Sequence, residues 1–148
     1  MQVAKYEEEI IMIRLFAGEK WQGKTSKLIA VANDHLNVTE GDIVFIEAGK
    51  RNMHSIHRKI RLVDTTEFPP SNYREFVSFI YGMLSQNNDI SEVFIDSLSK
   101  IITNLDDADL VAMCAALKKI SDDESVEFFM TLNCDPAALP AEVKPFAE

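Results

Sequence analysis

The chain has 148 residues, 47% of them hydrophobic and 26% charged, the size and balance of one globular domain around a single core. Its formal net charge of -9 sets up a field that repels phosphate backbones and anionic lipid, which disfavours general nucleic-acid and membrane partners. No run approaches the roughly 18 consecutive apolar residues of a membrane span, and acidic Met1 to Glu9 does not resemble a leader, so a cytoplasmic protein is expected.

Residues 1–8 read as a flexible extension, 9–134 as the folded domain, and 135–148, with Pro136, Pro140 and Pro145, as a tail that is irregular or a short packed turn. Ile10 to Ala17 is a β-branched apolar run ending at Gly18, which predicts a strand buried on both faces. From Lys24 to Leu36 the apolar residues Leu28, Ile29, Val31, Ala32 and Leu36 recur at helical spacing. Strand-like runs follow at Ile43–Ile46, Lys59–Val63, Val93–Ile95 and Val126–Leu132. Between them Ser71 can cap a helix bearing Phe76, Phe79, Ile80, Met83 and Leu84. Asp106 or Asp107 can open another, bearing Leu110, Val111, Cys114, Leu117 and Ile120. Strands alternating with amphipathic helices predict an α/β fold, a mainly parallel sheet of about five strands with helices on both faces. Cys114 and Cys134 sit in apolar segments and read as reduced thiols; two cysteines exclude a zinc ribbon.

Gly18-Glu19-Lys20-Trp21-Gln22-Gly23-Lys24-Thr25 has the spacing of a phosphate-binding loop. Its glycines let backbone N–H groups face an anion at a helix N-terminus, Lys24 meets the outer phosphates, and the Thr25 hydroxyl ligates Mg²⁺. The pattern begins where a strand ends and closes where a helix starts, as a helix-terminal anion site requires. Val93-Phe94-Ile95-Asp96 delivers a carboxylate to a strand end, where it holds Mg²⁺ directly or through water; taken alone, Asp96 would read as a cap on the next helix. Ligands of open α/β sheets sit beyond the carboxyl ends of the strands, the edge that also carries Glu47, Asp64 and Asn133. Glu47 or Asp64 could orient water and Asn133 could touch the γ-phosphate, although each taken singly reads as a solvated turn residue. His54 and His57 stand three apart and would share a face if their segment were helical; solvated imidazoles are the plainer reading. Lys50, Arg51, Arg58, Lys59 and Arg61 form a basic cluster suited to an acidic partner, a phosphate or a soluble surface.

These residues resemble the P-loop NTPase superfamily, which implies a three-layer fold and binding of Mg²⁺ with ATP through Gly18 to Ser26, with Lys24 and Asp96 catalytic and Thr25 and Asp96 at the metal. Together with Gly41-Asp42-Ile43-Val44-Phe45-Ile46 and Ser97-Leu98, they resemble more narrowly small bacterial proteins labelled ATP-binding or twitching-motility-like. The second label implies a hexameric motor with an added domain and acidic and histidine boxes, for which this sequence has no room. Ser97 stands where many water-activating members carry glutamate, and Trp21 where many carry glycine, which together imply slow hydrolysis or an altered loop. Thymidine-kinase-type loops are similar in admitting an aromatic residue there, but the zinc-binding cysteines of that family are missing.

Three functions are therefore set against one another. The first is a slow ATPase or nucleotide-dependent switch whose loops are read by a protein partner, with oligomerisation open as a source of an arginine finger. The second is a small-acceptor phosphotransferase of nucleoside-kinase type, and the third an interaction module with a vestigial phosphate loop. No guanine-reading Asn-Lys-x-Asp motif is present, which favours adenine.

Overall fold

The computed structural model describes residues 12–19 and 23–148, so the expectations for the first eight residues and for Lys20, Trp21 and Gln22 lie outside the described residues. Five strands, β1 (Ile13–Gly18), β2 (Asp42–Glu47), β3 (Arg61–Asp64), β4 (Ile90–Ile95) and β5 (Glu127–Asn133), form one all-parallel sheet in the order β1-β5-β4-β2-β3. The helices are α1 (Lys24–His35), α2 (Tyr73–Gln86), the short α3 (Leu98–Ile101) and α4 (Asp107–Glu124). β5, last in sequence, lies between β1 and β4, pairing Ile13 with Phe128 on one side and Phe94 with Phe129 on the other.

Both faces of the sheet are covered, which is why its strands read as continuous apolar runs rather than alternating ones. One face packs Leu15, Val44, Ile46, Val93, Ile95, Phe128 and Met130 against Phe76 and Ile80 of α2 and Leu110, Met113 and Leu117 of α4. The other packs Ile43, Phe45, Phe94 and Phe129 against Leu28, Ile29 and Ala32 of α1. Phe45, Phe94 and Phe129 stack across three adjacent strands, with centroids 6.2 Å and 4.5 Å apart. Side chains two apart in a strand share a face, so the next residues up this face are Glu47, Asp96 and Thr131. An aromatic floor therefore lies directly beneath a polar row.

The helix starts follow local chemistry. Asn72, not Ser71, caps α2 by accepting from Glu75 N–H at 3.0 Å, while the Glu75 carboxylate accepts from Ser71 N–H at 2.7 Å; the cap is one residue later than expected, and Glu75 reaches past it to the residue before. Asp106 caps α4 through Asp109 N–H. Residues 48–59 form turns rather than a helix, so His54 and His57 do not share a helical face; His57 Nδ1 accepts from Lys59 N–H. The tail packs on the body, with Leu139 and Val143 buried, Glu148 N–H donating to Leu15 O, and Ala147 bridging Leu15. Both cysteines are free, and burial pushes the Cys114 thiol up to about 12. Among the described residues no helix is long and apolar enough to cross a membrane.

Gly41 opens β2 against the turn before β4. A Cβ there would overlap the Ser91 side chain and the Asp89 carbonyl oxygen, and backbone cannot swing aside. Gly41→Ala is expected to cost about 1–3 kcal/mol, the range for overpacking, read as a lower urea midpoint at unchanged slope.

Candidate functional site

The site is built at the carboxyl ends of β1, β2, β4 and β5, where α1 opens. Gly23 occupies the N-cap of α1 at φ 72°, ψ 22°, left-handed backbone that favours glycine, and among the described residues no side chain caps the helix. Its first N–H groups are thus left facing the sheet edge, the arrangement that attracts an anion. Lys24 Nζ donates to Glu19 O at 2.7 Å, tying the start of the helix back to the end of β1 across residues 20–22.

Two residues on, Thr25 Oγ1 donates to the Asp96 carboxylate, 3.1 Å from Oδ1 and 3.0 Å from Oδ2. Thr131 Oγ1 donates to Asp96 Oδ1 at 2.7 Å and itself accepts from Ser97 N–H at 2.7 Å. Asp96 is thereby buried and held from α1 and β5 at once. It caps nothing: Ser97 is the N-cap of α3, at φ 61°, a left-handed conformation that costs a serine energy and turns its N–H towards Thr131.

Glu47, on the neighbouring strand, is not the solvated turn residue its position suggests. It is 6% exposed, Asn52 Nδ2 donates to its Oε1 at 3.2 Å, and its Oε2 is a buried oxygen with no hydrogen-bond partner among the described residues. Burial pushes its carboxyl above the ordinary 4.5; the Asn52 hydrogen bond opposes this, and the charges of Asp96 and Asp64 add to the rise. Asp64 is the contrary case. Its Oδ1 accepts from Gly49 N–H, Thr66 N–H and the Thr66 hydroxyl, which hold it below its usual range and make it a turn-forming residue.

Asp64 apart, these groups line one cleft with two lobes. The lobe towards β5, about 370 Å³, is lined by Gly23, Lys24, Thr25, Ser26, Thr131 and Asn133; the lobe towards β2, about 470 Å³, by Glu47, Asn52 and Asp96. Thr25, Ser26, Arg51, Ser97 and Lys100 line both. The two lobes thus share cations and hydroxyl groups; Lys24 belongs to the first alone, and the carboxylates of Glu47 and Asp96 to the second. Of the basic cluster, Arg51 reaches the cleft while Lys50 lies in the field of Asp64. Thr131 and Lys100 carried no weight in the sequence reading. Thr131 shares a strand face with Asn133, and Lys100 follows Asp96 by the four residues that also separate Arg51 from Glu47.

Among the described residues no group of three or more His, Cys, Asp or Glu side chains is placed to hold a metal ion. No protein-family model matches the chain, and no curated protein matches its sequence.

Proposed function

We propose that the chain binds ATP with Mg²⁺ in this cleft, as a P-loop protein, and acts as a slow ATPase or nucleotide-dependent switch. The observation that carries the reading is the Thr25 hydroxyl on the Asp96 carboxylate at the uncapped start of α1, which joins the two sequence segments such a site requires. The donors suit the ion: the Thr25 hydroxyl and the Asp96 carboxylate are hard oxygens. Mg²⁺ is characteristically held by one or two carboxylates plus phosphates and waters rather than by a cage of protein ligands. Thr25 and Asp96 would hold it, and when bound it supplies charge neutralisation at the phosphates.

The chain's own residues supply the rest. The N–H groups at the start of α1 and the Lys24 ammonium receive the β- and γ-phosphates, with Arg51 and Lys100 adding positive charge over the developing negative charge of the transferred group. Glu47 takes the part of the missing glutamate after Asp96: its free Oε2 accepts the proton of the attacking water as the new P–O bond forms and ADP departs. A base raised towards neutrality is better matched to that proton than an ordinary carboxylate.

Mg-ATP is expected to raise the melting temperature, by mass action on the folded state, and Lys24→Ala to abolish the rise. An equal rise in the variant would overturn the assignment, and no rise in either protein would leave a vestigial loop. The lobe beside Glu47 and Asn52, with Arg51 and Lys100 at its mouth, also suits a hydroxyl acceptor, which keeps a small-acceptor phosphotransferase as the second reading. ADP release that a panel of nucleosides accelerates, with a phosphorylated nucleoside as product, would favour it. Release indifferent to them, on the order of 10⁻²–10⁻⁴ s⁻¹ as in unassisted switch NTPases, favours the first.

A further inference from the structure

A separate hollow of about 600 Å³ lies between the segment following β3 and helix α2. Aromatic and proline residues line much of it: Phe68, Pro69 and Pro70 from the segment, Phe76 and Phe79 from the helix. Phe68 is 86% exposed and Phe79 44%, whereas Phe76, one turn before Phe79, is buried in the core. Paired prolines fix the backbone after Phe68, so that this exposed ring is held out and little ordering is needed to bind with it. Exposed aromatic groups gathered round a hollow mark interaction surfaces.

The rim gives the sign of the occupant. Asp64, Glu67 and Glu75 line the hollow, and among the described residues no lysine, arginine or histidine does. An anionic lipid surface is repelled there, and so is the same acidic face of a second copy. The chain's own acidic Glu7-Glu8-Glu9 has the wrong charge as well. The floor gives the shape. Val63, Asp64 and Thr65 belong to or follow β3, the last strand of the sheet, which pairs with β2 on one side only. A terminal strand accepts an added extended segment through its outer N–H and C=O groups.

We propose that this groove docks an extended basic segment of a partner protein, its lysine or arginine side chains meeting Asp64, Glu67 and Glu75 and an apolar side chain seated between Phe68 and Phe79. Peptide binding is measured without nucleotide, so its failure and a failure of the Lys24 test are separate results. The groove is tested with a fluorescent synthetic peptide of alternating lysine and leucine, followed by anisotropy, beside its glutamate-for-lysine counterpart. The lysine peptide is expected to bind and the glutamate peptide not to bind. Phe68→Ser and Glu67→Lys are each expected to weaken binding about tenfold or more, as the loss of an anchor does. Tyr81→Ser, exposed on α2 but outside the hollow, and Glu124→Lys, at the end of α4, should bind as the parent does. Phe68 and Glu67 are surface residues, and unchanged melting curves check that their variants fold. Loss in Glu124→Lys equal to that in Glu67→Lys, or undiminished binding by Phe68→Ser, would reduce the effect to general charge attraction and overturn the proposal. So would self-association that depends on Phe68 without peptide binding, since a second copy would then be the occupant.

Discussion

Glu47→Gln is expected to cut Mg-ATP turnover by about 10²-fold or more, the usual contribution of a general base, while raising the melting temperature of the ligand-free protein at neutral pH. The two effects have one cause. The Glu47 carboxyl is raised in the folded state by burial and by the charges of Asp96 and Asp64, so the folded protein binds its proton more tightly than the unfolded chain does. The stability linked to that proton is fully present below the ordinary value of 4.5 and is lost as pH climbs through the raised folded value. At neutral pH the ionised carboxylate is therefore a burden that the amide lifts, and the gap between variant and parent should close as pH falls to about 4. Asn52 can still donate to the amide oxygen, so the fold keeps its local bond. Single-turnover hydrolysis with enzyme in excess and melting curves from pH 4 to 8 read both arms. A variant that melts lower at pH 7 and hydrolyses as fast as the parent would make Glu47 a structural residue.

The largest expected loss of stability comes from the floor beneath the site. Phe94 is fully buried on the central strand, stacked between Phe45 and Phe129, with the His35 ring edge-on at 6.2 Å. Phe94→Ala removes a ring whose neighbours on both sides are held by sheet pairing and cannot close the gap. It is expected to cost about 3–5 kcal/mol, a large share of the roughly 5–15 kcal/mol that holds a domain folded. Urea unfolding followed by circular dichroism should show a lower midpoint at unchanged slope. Phe94→Leu, which keeps most of the volume, should lose less than half as much. Because Asp96 stands two residues above Phe94, the alanine variant should also weaken any Mg-ATP-induced rise in melting temperature, whereas Gly41→Ala, at the opposite end of β2, should leave it intact.

The elements were legible in the sequence because their signals are local. Gly18 and Gly23 mark the turn out of β1 and into α1; β-branched runs mark the strands; of the two aspartates expected to open α4, Asp106 caps it. The parallel sheet followed from the alternation of strands with amphipathic helices. What the sequence concealed was strand order. Nothing local to Glu47 says that β2 lies beside β4, and without that neighbour a strand-end glutamate passes for a solvated one. Thr131 passes for an ordinary β-branched strand residue until β5 is known to lie between β1 and β4. Arg51 and Lys100 belong to a loop and to a helix of four residues, whose paths depend on how the strands before them are arranged. Phe68 followed no period, and only its exposure beside Phe79 distinguishes it from a core aromatic.

The position of β5 governs how the molecule comes into being. Among the described residues β1 pairs with no strand other than β5, a single bridge from Leu15 to Ala147 of the tail apart, so Ile13 waits for Phe128 across nearly the whole described chain. Contacts that distant close slowly, because the entropy of a long loop is lost before any pairing compensates for it. During synthesis the edges of β1 and β4 stay open, apolar and able to recruit other chains until residues 127–133 emerge. Thr131, which fixes Asp96, and Asn133, which lines the cleft, arrive with that same strand. The cleft is thus complete only once β5 has joined the sheet, and a half-made chain, however well its first strand and helix are formed, has no finished pocket in which a ligand could rescue it.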